Sequence, residues 1–145
     1  LHRRRRIGGS EMHVLMSLAM AASYDPDPTA PFGVRLPVDI KTCVLDAERW
    51  DAWLRFDPLQ SVEHAETQAR LRGLRGLFVD CGLRDQYHLL FGARRFSARC
   101  DSLNIVHRFE TFDDTHSGID YRMDTSLPWL VSVLTDESRP SSNSI

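Results

Sequence analysis

The stretch that most constrains this chain runs from Gly76 to Ile119. It begins Gly76-Leu-Phe-Val-Asp-Cys-Gly-Leu-Arg-Asp85 and closes Phe109-Glu-Thr-Phe-Asp-Asp-Thr-His116-Ser-Gly118. Leu77-Phe78-Val79 is a short unbroken apolar run, the pattern of a parallel strand covered on both faces. A small-residue turn follows it and delivers an acid, Asp85. From Tyr87 to Leu103, apolar residues recur at Leu89, Ala93, Phe96, Cys100 and Leu103. That four-three spacing predicts a helix lying on a sheet. Val106 to Phe112 reads as a second strand anchored by Phe109 and Phe112, and the loop after it carries His116. Ser126-Leu-Pro128 then starts a last helix with a buried stripe of Leu127, Leu130, Val131 and Leu134. Strand, helix, strand, helix is a βαβα unit, in which two parallel strands are joined by a right-handed crossover. The fold class is α/β.

The segment ahead of this unit reads differently. Gly8-Gly9-Ser10 leads into Glu11–Ala22, where Val14, Leu15, Leu18 and Ala22 recur at helical spacing and Ser10 is placed to cap the helix. Pro26, Pro28, Pro31, Gly33 and Pro37 exclude regular structure and mark a loop from Tyr24 to Pro37. Asp46 precedes Ala47, Trp50, Trp53 and Leu54 as an N-cap before one apolar face. The two tryptophans read as core packing rather than as the wall of a substrate pocket, because aromatics carry large burial energies. Asp57-Pro58 repeats the start signal, and its helix extends through Val62, Ala65 and Ala69. No strand is expected between residues 10 and 72. The organisation is therefore a basic, disordered edge (1–9), a helical and proline-rich segment (10–75), the strand-helix-strand-helix unit (76–135) and a Ser-rich disordered tail (136–145).

Composition narrows the function classes. The length of 145 residues, 42% hydrophobic content and 26% charge are those of one ordinary globular domain. Lys41 is the only lysine among 18 basic residues, yet the arginines are scattered among acids and the net charge is −2. Neither this nor the aromatic-free run Arg3–Arg6 makes the basic stripe of a nucleic-acid binder. Cys43, Cys81 and Cys100 form no C-x-x-C pair, and read as free, mostly buried thiols in a reducing, cytoplasmic setting. No apolar run approaches the roughly 20 residues that span a bilayer, so no membrane partner is expected. The start, Leu1-His-Arg-Arg-Arg-Arg6, has no initiator methionine and no signal-peptide core. It reads as a cut or misjoined edge.

Acid after one strand and histidine after the next has a chemical meaning. An imidazole can take a proton from a serine hydroxyl when a carboxylate holds it in the right tautomer. Parallel strands bring the loops at their carboxyl ends to one edge of the sheet, where such folds place their sites. Asp85 and His116 fit that pattern, and Ser117 and Gly118 leave room beside the histidine. Simpler roles also fit: His116 as a loop histidine bonded to Asp113 or Asp114, and Asp85 as the N-cap of the helix at Tyr87. Asp80 is a rival acid, but it lies inside the strand run. A metal site would draw on His88, His116, Asp113, Asp114 and Asp120, without the spacing that makes such a signal specific. Neither a metal nor an organic cofactor is expected. Ser10 lacks the strand and the G-x-S-x-G setting of a nucleophile, with Met12 in place of the second glycine.

Three stretches carry a resemblance. Gly82-Leu-Arg-Asp-Gln86, Phe91-Gly-Ala-Arg94 and Phe112-Asp-Asp-Thr-His-Ser-Gly-Ile-Asp-Tyr-Arg122 resemble the C-terminal portion of the esterase D-like group of α/β hydrolases. That group includes S-formylglutathione hydrolases and enterochelin esterase-like enzymes. The resemblance covers residues 9 to 135 and is specific from 76 to 130. It implies that Asp85 and His116 are the acid and base of a serine-hydrolase triad. It also implies that residues 10–72 form a helical excursion that helps to roof the site. The departure is large: the serine elbow, the oxyanion-hole loop and most of the sheet should precede residue 1.

Two functions follow from different classes. The first is part of a serine esterase that cleaves small carboxylic-ester or thioester substrates, carrying the acid and histidine without the nucleophile and inactive alone. The second is a non-catalytic, truncated hydrolase-like protein that acts by association, with self-association through an exposed sheet edge.

Overall fold

The computed structural model describes residues 8–136. The expectations for the basic edge and the tail therefore lie outside the described residues at 1–7 and 137–145. The chain forms two compact units that meet between Asp57 and Pro58. This division differs from the one expected at 75/76, because the two short helices after Asp57 cluster with the strands.

The first unit is helical. Helix α1 spans Gly9–Tyr24, longer at both ends than the apolar periodicity indicated. Its N-cap is Gly8 rather than Ser10, which lies in the first turn. The Glu11 carboxylate accepts the Gly8 N–H at 2.8 Å, which satisfies one of the amides that a helix start leaves open. The proline-rich stretch contains only a 3-10 turn at Pro31–Gly33 and the isolated bridge Pro26–Val34. Helix α2, Ala47–Leu54, starts where Asp46 predicts, with the Asp46 side chain accepting the Arg49 N–H at 3.1 Å. Trp53 packs edge-on to Tyr24 at 5.3 Å, and Tyr24 stacks on Phe56 at 4.4 Å. Trp53 thus serves aromatic packing, while Trp50 remains exposed.

The second unit holds the sheet. The single helix expected from Pro58 divides into α3, Pro58–Ser61, and α4, Ala65–Arg72. Val62, at the break, is wholly buried in a core with Cys100 and Ile105, and Leu71, Leu77, Phe96 and Leu103 pack around them. The Gln68 side chain donates to the carbonyls of Val62 and Glu63, at 3.0 and 3.3 Å. It thereby takes over groups that a continuous helix would have paired internally.

Strand β1, Phe78–Gly82, and strand β2, Arg108–Phe112, are parallel and in register from Phe78 opposite Arg108 to Gly82 opposite Phe112. Each begins slightly later than its apolar run. Between them lies α5, Leu89–Ser102, whose inward residues include Leu90, Ser97 and Cys100. Leu90 takes the buried place expected for Leu89, which is half exposed. The fold is mixed α/β, with two parallel strands and flanking helices.

Alternation along the strands separates two faces. Phe78, Asp80 and Gly82 share a face with Arg108, Glu110 and Phe112, so Phe109 and Phe112 anchor opposite sides. Helix α6, Met123–Thr135, covers the first of these faces. Trp129 lies 5.6 Å from the Phe78 ring, and Gly76 sits against Trp129 and Val133. The buried stripe of α6 therefore differs from the expectation: Leu127, Val131 and Leu134 are more than half exposed. The helix also starts at Met123 rather than Ser126, which puts Pro128 inside it.

Candidate active site

The carboxyl ends of the two strands form one cluster of loops. After β1 the chain turns tightly. The Asp85 N–H is donated to the Gly82 carbonyl at 3.3 Å, and the His88 N–H to the Asp85 carbonyl at 3.1 Å. His88 takes the left-handed conformation, φ 59°, and α5 begins at the next residue. After β2 the chain crosses over this turn. Leu83 donates its N–H to the Phe112 carbonyl at 2.8 Å, and Arg84 to the Asp114 carbonyl at 2.9 Å. The approach depends on Gly82. A Cβ at that position would collide with the Asp114 carbonyl oxygen and come within 2.7 Å of the Thr115 carbonyl oxygen. Both are backbone atoms, so only glycine lets the second loop lie against the first strand.

This crossing brings the two sequence-designated residues together. Nδ1 of His116 lies 2.9 Å from Oδ2 of Asp85. Asp85 is the buried partner, with its side chain 2% exposed, whereas the His116 side chain is 45% exposed. Oδ1 of Asp85 accepts the N–H groups of Tyr87 at 2.8 Å and Leu89 at 3.3 Å. Asp85 therefore caps the entry to α5 with one oxygen and faces the histidine with the other. The N-cap position of α5, which the sequence suggested for Asp85, is taken by His88.

Burial pushes the Asp85 carboxyl up, but hydrogen bonds from His116, Tyr87 and Leu89 outweigh it and hold the group below the usual carboxylate range. An ionised carboxylate only accepts hydrogen bonds, so Nδ1 of His116 carries the proton in this contact. In the neutral imidazole this leaves the lone pair on Nε2. The Tyr87 ring stands perpendicular to the imidazole at 5.0 Å. Cys81 is buried below, its sulfur 3.8 Å from Asp85 Oδ2. Burial, and then the Asp85 charge, raise its thiol, which keeps it protonated and makes it a poor nucleophile.

The competing partners of His116 are engaged elsewhere. Arg84 pairs with Asp113 at 2.9 Å. Asp114 accepts the Thr115 N–H at 2.7 Å and the Tyr121 hydroxyl at 3.2 Å. Asp80, the rival acid, is engaged by Arg122 instead, whose Nε donates to it at 2.9 Å. Among the described residues, no group of three or more His, Cys, Asp or Glu side chains is arranged to hold a metal ion. Nor is any helix among them long and apolar enough to cross a membrane.

Several contributors to the site were not legible in the sequence. Arg122 is 16% exposed and bridges the strands, binding Asp80 of β1 and, at 2.7 Å, Glu110 of β2. Its guanidinium lies over the Phe112 ring at 4.6 Å. Glu110 also accepts from Nε of Arg108 at 2.7 Å. Hydrogen bonds from Arg122 and then Arg108 hold its carboxyl below the ordinary value. This network anchors the chain just after the histidine loop. Gln86 touches the loop directly: its Oε1 accepts the His116 N–H at 2.9 Å, and its Nε2 lies 3.4 Å from the Ser117 hydroxyl. Gln86 stood in the sequence only as the end of the stretch Gly82–Gln86, with nothing there to assign it a partner.

No protein-family model and no curated protein matches the chain. Among solved structures, a ferulic acid esterase is similar over 68% of this chain, at 20% identity and a TM-score of 0.48. The matched region is 38% of that protein's length.

Proposed function

We propose that Asp85 and His116 are the acid and base of a serine esterase acting on carboxylic esters or thioesters. The observation that carries this reading is the 2.9 Å contact between a buried, ionised Asp85 and the Nδ1 of a half-exposed His116. A carboxylate at Nδ1 fixes the tautomer in which Nε2 is free to accept a proton, and it stabilises the imidazolium that forms. Nε2 would take the proton of the serine hydroxyl as the hydroxyl oxygen attacks the acyl carbon. It would return that proton to the leaving alkoxide or thiolate. Water, deprotonated by the same nitrogen, would then attack the acyl carbon, and that proton would pass to the serine oxygen as the acyl–serine bond breaks and the acid leaves.

The 145 residues contain no G-x-S-x-G, so in this reading the nucleophile comes from a segment outside them. Covalent labelling tests the proposal. A longer form of the protein that includes a G-x-S-x-G segment should react with a fluorophosphonate at that serine. His116→Ala should slow the reaction by about 10³-fold or more. Equal labelling rates with and without the histidine would overturn the proposal.

A further inference from the structure

We propose that Gln86 is a positioning residue for His116, setting the direction of its imidazole by holding its backbone; this rests on the reading of His116 as a base. The Asp85 contact leaves the direction of the ring undetermined. One hydrogen bond to Nδ1 fixes a single point of a ring that turns about χ1 and χ2. A half-exposed loop histidine held at one point can keep that bond while Nε2 swings through a wide arc. A second anchor at the other end of the side chain removes this freedom. Gln86 Oε1 supplies it by accepting the His116 N–H at 2.9 Å. The atoms between the two anchors are N, Cα, Cβ, Cγ and Nδ1, so holding both ends leaves χ1 and χ2 a narrow range.

Both anchors come from consecutive residues, Asp85 and Gln86. That dipeptide is itself tied down, because Asp85 Oδ1 accepts the Tyr87 and Leu89 N–H groups. The Gln86 amide also reaches the Ser117 hydroxyl at 3.4 Å, which orients its Oε1 toward His116 rather than away. The Tyr87 ring closes one side of the imidazole. The loop gains such fixing ahead of Gly118, which takes a left-handed φ of 70°. A hydrogen bond between exposed groups adds little to folding stability. Its consequence here is direction, and a general base misdirected by about 1 Å loses much of its rate.

The test is imidazole NMR on the 145-residue chain. Wild type should show His116 in the Nδ1–H tautomer, with that proton protected from water, and Asp85→Asn should abolish the pattern. Gln86→Leu removes both hydrogen bonds of the amide and should speed Nδ1–H exchange by about tenfold, the scale of one hydrogen bond. Gln86→Glu keeps an oxygen for the His116 N–H and should restore the protection. The Arg84 amide, bonded to Asp114 in the same loop crossing, should keep wild-type exchange in every Gln86 variant. If Gln86→Leu and Gln86→Ala both leave the imidazole proton as slow as in wild type, the positioning role is wrong while the Asp85–His116 pair stands. If the Arg84 amide loses protection together with His116, Gln86 merely stabilises the loop and the proposal is likewise overturned. If wild type itself lacks the Nδ1–H tautomer, the underlying base assignment fails first.

Discussion

Replacing Gly82 by alanine should disassemble the site without touching either of its ionisable residues. A Cβ there would stand 2.7 Å from the Thr115 carbonyl oxygen and 2.9 Å from the Asp114 carbonyl carbon, and the Asp114 oxygen would be nearer still. Ordinary contacts of this kind lie at 3.4–4 Å, so the loop must retreat by about 1 Å. None of the obstructing atoms is the flexible end of a side chain. His116 follows Thr115 directly, and its 2.9 Å bond to Asp85 would stretch to about 3.9 Å, past the limit of a useful hydrogen bond. The steric cost should be about 1–3 kcal/mol, as for other overpacked sites. Urea unfolding reads that loss, and the His116 Nδ1–H resonance reads the broken contact in the same sample. A Gly82→Ala protein with wild-type stability and an unchanged resonance would refute the claim that close backbone approach positions the histidine.

Further outcomes follow from the same geometry. The Asp85 carboxyl is held below its ordinary value of 3.8. Its contribution to stability is therefore complete above about pH 4 and is lost as pH falls through the depressed folded value. Urea midpoints between pH 2 and 5 should fall less steeply in Asp85→Asn than in wild type. Arg122→Met should cost about 3 kcal/mol, because it strips a partner from Asp80 and Glu110 in a mostly buried network, and chemical denaturation checks this. Asp46→Ala should cost about 1 kcal/mol through loss of the α2 cap, read as a lower melting temperature. The 145-residue chain alone should hydrolyse activated esters no faster than buffer, and Ser10→Ala should leave that baseline unchanged, as a spectrophotometric assay would show.

What the sequence made legible is what depends on local order along the chain. Asp85 and His116 could be singled out because each stands just after a strand, and parallel pairing brings those positions to one edge. Asp46 was readable as a cap because capping needs only the three residues that follow. The face of α6 was not readable: Leu127, Trp129, Leu130, Val131, Val133 and Leu134 surround the helix with apolar side chains, so periodicity selects no single stripe. Packing against Phe78 and Gly76 makes that choice. The break at Val62 is likewise a tertiary effect, since one buried valine and a glutamine that takes up two carbonyls override helical propensity. Gly82, Gln86 and Arg122 act through partners about 12 to 42 positions away, chosen by the crossing of two loops, and residue type alone does not reveal such partners.

One kinetic comparison bears most directly on the pairing of Asp85 with His116. In a longer form of the protein carrying a G-x-S-x-G serine, kcat/KM for a p-nitrophenyl ester should be compared among wild type, His116→Ala and Asp85→Asn. Losses of about 10³–10⁴-fold or more are expected in each variant, with the double variant little worse than the His116 single variant, because the two residues work as one unit. Hydrolysis that survives removal of His116 within a factor of about ten would contradict that expectation.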